Sequence, residues 1–154
     1  MGRWRLDRHR LRRSANTPMN LRLIEITDRG KPNQERLHLE AIIPVDLQFY
    51  IVFATTVMPN LTGLGGLVGL GGYRTLLGPE KISTVPTSSF WFPEYKIARG
   101  DHIVLYSGGG IQSKQIRGDG FYDHFFFWGS SKMLWNTPDA RATVFEIAGF
   151  ETTK

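Results

Sequence analysis

Residues 90–147 are a succession of short β-prone runs separated by chain-turning residues, and this pattern constrains the fold more than any other feature. The runs include Phe90-Trp91-Phe92-Pro93, His102-Ile103-Val104-Leu105-Tyr106, His124-Phe125-Phe126-Phe127-Trp128 and Ala142-Thr143-Val144-Phe145-Glu146-Ile147. Gly100-Asp101, Gly108-Gly109-Gly110, Gly129 and Thr137-Pro138-Asp139 interrupt them. Aromatic and β-branched residues suit a pleated, half-buried surface, whereas Gly, Pro, Asp and Asn supply turn backbone. The stretch therefore reads as antiparallel β structure. It holds no obvious reaction centre.

The upstream half continues the pattern. Leu21, Leu23 and Ile26 lie in a β-prone run that ends at Asp28-Arg29-Gly30 and Pro32-Asn33. Leu37, Leu39, Ala41 and Ile43 alternate with Arg36, His38 and Glu40, the period-two signature of a half-buried strand. In the next run Leu47, Phe49, Ile51 and Phe53 line one face, with Gln48, Tyr50 and Val52 on the other. Both faces are apolar enough for a central strand. About seven strands, turn signals between them and no convincing amphipathic helix predict an all-β fold, a sandwich or a barrel.

The 154 residues suit one domain with a substantial core, and 41% hydrophobic content excludes a wholly disordered chain. We expect a single β domain over residues 19–150 and a short tail at 151–154. Residues 57–89 read as an insertion, because residues 61–72 contain six glycines and no charge, with leucines too sparse for a core of their own. Residues 1–18 form a basic leader, expected to be disordered. Its arginines Arg3, Arg5, Arg8, Arg10, Arg12 and Arg13 against the lone Asp7 account for the whole net charge of +5. The remainder is balanced, so the charge implies no basic face on the domain.

Three readings of the leader stay open: a start upstream of a true initiator at Met19, an arginine arm for nucleic acid or another polyanion, or an organelle-targeting segment. No apolar stretch follows it as secretion requires, and no run approaches the roughly 18 apolar residues that span a bilayer. With no cysteine in the chain, disulfides, thiolate metal sites and cysteine nucleophiles are excluded. These features fit a cytoplasmic protein.

Phe92-Pro93, Gly100-Asp101, Ile103-Val104-Leu105, Trp135-Asn136 and Ala142-Thr143-Val144-Phe145 follow one another in an order that resembles the lamin-tail-type domain. The resemblance covers residues 35–54 and 90–148, and the glycine-rich insertion separates the two parts. The segment His124-Phe125-Phe126-Phe127-Trp128-Gly129 is similar to one in small stand-alone bacterial proteins of unassigned function. Pro138-Asp139 departs from the Gly-Asp pair more usual after the Trp-Asn step. The resemblance implies an immunoglobulin-like antiparallel β-sandwich acting as a binding or scaffolding module rather than a catalyst.

The chemistry-bearing candidates are few. Neither Gly108-Gly109-Gly110 nor the glycine-rich insertion leads into a helix with a Gly-Lys-Ser/Thr ending, so both fit turns better than phosphate loops, and no cofactor is expected. Asp101-His102 and Asp123-His124, with Asp119 nearby, could converge on a metal or serve acid–base chemistry, with Ser107 as a conceivable nucleophile. No nucleophile elbow supports acyl transfer. Arg99-Gly100-Asp101 and Arg117-Gly118-Asp119 both spell the cell-adhesion tripeptide, and both fit turns better.

The aromatic excess reads in two ways. Phe125-Phe126-Phe127-Trp128 must send aromatics to both faces of its strand, which a strand covered on both sides explains. Alternatively, Tyr122, His124, Phe126, Trp128, Trp135 and Asn136 make an exposed binding patch. The sequence thus favours a non-catalytic module for a protein partner. A small metal-dependent or acid–base enzyme and a nucleic-acid binder acting through the leader are the alternatives.

Overall fold

The computed structural model describes residues 19–57 and 84–153. These residues form ten strands: β1 (Leu21–Thr27), β2 (Arg36–Ala41), β3 (Val45–Asp46), β4 (Tyr50–Val57), β5 (Thr84–Trp91), β6 (Lys96–Ile97), β7 (His102–Tyr106), β8 (Ser113–Ile116), β9 (Tyr122–Phe127) and β10 (Ala140–Glu146). The fold is all-β, as the alternation and turn residues predict. One turn of 3-10 helix, Leu47–Phe49, is the only helical element among the described residues. None of them forms a helix long and apolar enough to cross a membrane.

A five-stranded sheet in the order β1-β2-β7-β9-β8 lies against a three-stranded sheet in the order β10-β4-β5, with a small β3-β6 pair beside them. Inward residues of both sheets share one core. Leu37, Leu39, Ile103, Leu105 and Phe126 come from the larger sheet, and Tyr50, Val52, Ala54 and Ala140 from the smaller. Burying a leucine or phenylalanine side chain contributes about 1.5–3 kcal/mol, so this two-sheet core is the main source of stability. All pairings are antiparallel except β7 with β9, which run parallel. The chain therefore crosses over after β7, places β8 at the sheet edge, and returns between β7 and β8 as β9.

Three details differ from the sequence reading. Leu47 and Phe49 belong to the 3-10 turn, where the Asp46 carboxylate accepts from the Gln48 N–H at 3.3 Å and caps it. The strand then starts at Tyr50, so Tyr50, Val52 and Ala54 point inward while Ile51 and Phe53 face outward. Ile43 is not part of the preceding strand and is exposed. The third difference is the end of the expected insertion, because β5 begins at Thr84 and pairs with Val57. Pro86 is an unusual strand residue, since proline cannot donate to the ladder. It is tolerated because β5 is an edge strand, and the register shifts opposite it between Ala54 and Thr55. The glycine-rich residues 61–72 lie outside the described residues, as do residues 1–18.

Candidate functional site

Strand alternation decides what the two Asp-His pairs can do. Successive side chains on a strand point to opposite faces. In the parallel β7–β9 pair, His102 stands opposite Asp123 and Ile103 opposite His124. Asp101 and His124 consequently point into the sandwich, while His102 and Asp123 point away from it. The four side chains form two crossed pairs on opposite faces of one sheet, not a single centre. Among the described residues, no three His, Asp or Glu side chains gather as cation ligands would.

The inner pair is sealed. His124 Nε2 lies 3.0 Å from Asp101 Oδ2, and both side chains are 7% exposed. Tyr95 Oη sits 3.2 Å from His124 Nδ1, completing a Tyr-His-Asp chain. Asp101 Oδ1 accepts the Tyr122 backbone N–H at 3.0 Å. Its own backbone joins Ala98 and Ala41, tying the turn before β7 to the end of β2. Burial works to raise the Asp101 carboxyl pKa, but the Tyr122 N–H and the His124 ring outweigh it and hold the group below its ordinary value. Every polar arm of the chain is used inside the protein. Ser107 follows the far end of β7, four residues past Ile103 (the register partner of His124), which puts it about 13 Å along the sheet from that histidine.

The outer pair belongs to a row of charges across the five-stranded sheet. Arg22, Glu40, His102, Asp123 and Gln115 occupy successive register positions from β1 to β8. Arg22 pairs with Glu40. His102 Nδ1 lies 3.5 Å from Asp123 Oδ1, and Arg117 Nη1 approaches the same oxygen at 3.7 Å while pairing with Asp119. In the next row His38 meets His102 at 5.5 Å between ring centroids and contacts Thr27 Oγ1 at 3.0 Å. Burial, followed by the neighbouring His102 and Arg36, pushes the His38 imidazole pKa down.

At one end of this row the face opens into a cleft of about 770 Å³, lined by Glu40, Arg99, Gly100, His102, Arg117, Phe121 and Asp123. The two Arg-Gly-Asp turns build it, each contributing its arginine. Gly100 has φ +84°, and a Cβ there would stand 2.5 Å from the Phe121 ring, so only glycine lets that ring lie over the turn. Neither turn presents a free adhesion tripeptide: Asp101 is buried, and Asp119 pairs with Arg117.

The six residues expected as an aromatic patch do not share one surface. Phe126 and Trp135 are core residues, and His124 is buried. Phe126 makes edge-to-face contacts with Phe92 and Tyr95, and Trp135 with Trp128. The Trp135 indole N–H donates to the Arg141 carbonyl at 3.2 Å. Trp128 is half-buried against Phe90, and only Tyr122 and Asn136 lie at the surface. Most of the excess is therefore packing between the sheets. The six leader arginines fall outside the described residues.

Sequence reasoning missed Glu35, a carboxylate with no exposed surface. It accepts the Gly30 and Leu134 backbone N–H groups, each at 2.9 Å, and the Trp135 N–H at 3.4 Å, stapling the β1–β2 turn to the loop before β10. Nothing in Gln34-Glu35-Arg36 distinguishes it from an ordinary polar turn. Arg99 and Phe121 were also missed as a pair, because only the fold brings their turns together. Compared with known proteins, the chain matches no family model, no curated protein and no solved structure.

Proposed function

We propose that this β-sandwich is a non-catalytic binding module, of the lamin-tail-like and immunoglobulin-like kind its motif order resembles, and that it recognises a protein partner. One observation supports this reading most: the best-formed acid–base chain, Tyr95-His124-Asp101, is buried and internally consumed. A general acid or base must reach a substrate proton within hydrogen-bond distance, and these side chains face the core. The accessible polar groups instead line an open cleft on a sheet face, where charge and an aromatic ring favour recognition.

Cross-linking of the full chain in cell extract, followed by reconstitution with the purified candidate, tests the reading. It predicts a stoichiometric complex with a defined protein. Turnover in a broad hydrolase screen, abolished by His102→Asn in a folded protein, would overturn it in favour of the enzyme alternative. Comparing polyanion binding by residues 1–154 and 19–154 at two salt concentrations tests the arginine arm separately.

A further inference from the structure

We infer that the cleft between the two Arg-Gly-Asp turns binds an acidic segment of an extended peptide, with one carboxylate on Arg99 and a neighbouring apolar group on Phe121; this rests on the binding-module reading.

The charges of the cleft are unequally satisfied. Glu40 is met by Arg22, and Arg117 is held by Asp119 and Asp123. Arg36, on the same sheet face, pairs with Asp28 at 3.0 Å. No described carboxylate comes within salt-bridge distance of Arg99, which stands exposed at the rim. A guanidinium presents planar paired donors that match a carboxylate or a phosphate, so the open position selects an oxyanion.

The carboxylates of the cleft decide which oxyanion. Glu40 and Asp123 both line it, and Asp123 Oδ1 is itself closed off, 3.5 Å from His102 Nδ1 and 3.7 Å from Arg117 Nη1. They repel a phosphate dianion about twice as strongly as a singly charged carboxylate at the same distance. The side chain of an acidic peptide residue therefore meets Arg99 at the smaller electrostatic cost. Phe121, 42% exposed and seated on Gly100, gives an adjacent apolar group a platform.

Titration of the full isotope-labelled chain, read by amide chemical shifts, tests this with three blocked peptides, acetyl-Gly-Phe-Xaa-Gly-amide with Xaa as Glu, Gln or Lys, and with inorganic phosphate. The glutamate peptide is expected to shift the amides of Gly100, Gly118 and Phe121 and to bind about fivefold tighter than the glutamine peptide, the scale of one exposed charge contact. Arg99→Gln should erase that preference, and Phe121→Ser should weaken all three peptides, with the dispersed spectrum confirming the fold of each variant. Equal binding of the glutamate and lysine peptides overturns the site. So does phosphate binding as tight as the glutamate peptide's, or no cleft shift at about 10 mM ligand. A protein partner whose binding survives both substitutions would sink the cleft and leave the binding-module reading standing.

Discussion

Asp101-His124 and His102-Asp123 are built from the same two residue types at adjacent positions at the start of β7 and on β9, yet they do opposite things. The inner pair is held at 3.0 Å, 7% exposed, and extended by Tyr95 and the Tyr122 N–H. The outer pair is looser, at 3.5 Å, more than a fifth exposed, and shares its carboxylate with Arg117. One residue of strand register separates them. The contrast teaches that an Asp-His motif on a strand carries no role until its face is known: inward it becomes structure, outward it becomes surface.

The largest effect should come from breaking the inner pair. Asp101→Ala leaves the buried His124 Nε2 and the Tyr122 N–H without a partner, and is expected to cost about 3–5 kcal/mol in urea unfolding. A cost below that of an exposed pair would dissolve the contrast. The same carboxyl predicts an acid-sensitive window. Its pKa is lowered in the fold, so its stabilisation is complete above the ordinary aspartate value of about 3.9 and is lost as pH falls through the folded value. Asp101→Asn should flatten the pH dependence of stability in that window, starting from a less stable protein.

Gly100→Ala tests the link between the two regions, since the turn that carries inward-facing Asp101 also seats outward-facing Phe121. A positive-φ position and the Phe121 ring both oppose a Cβ, so a cost of about 1–3 kcal/mol and a displaced ring are expected. Unchanged stability and ring shifts would show that the turn adapts. Asp123→Ala, by contrast, removes only a part-exposed partner and should cost less than about 1 kcal/mol. A loss as large as that of Asp101→Ala would make the outer row structural too. The smallest effect is electrostatic. Removing the neighbouring ring with His102→Asn should raise the His38 pKa toward its ordinary value in an imidazole titration, because His102 adds to the burial that depresses it.

The fold was legible where alternation and turn chemistry agree. Leu37, Leu39 and Ala41 are buried as the period of two requires, and Asp28 and Gly30 end β1 with positive φ. It was less legible at β5, where Pro86 and a serine run hide an edge strand. The site was harder to read for a physical reason. Whether Asp101 meets His124 or His102 meets Asp123 depends on the parallel register of β7 and β9, a long-range property with no local signature. Glu35 shows the same limit, because its partners at Leu134 and Trp135 are distant in sequence. The aromatic excess was visible, but its direction was not: Phe126 and Trp135 fill the core rather than the surface.

Histidine-selective acylation with diethyl pyrocarbonate, mapped by mass spectrometry on the native full chain, tests the inside–outside division most directly. His102 should be modified at least about tenfold faster than His124, whose modification should require opening of the sandwich. Comparable rates at the two histidines under native conditions would contradict the division, and with it the assignment of one pair to the interior and the other to the outer surface of the sheet.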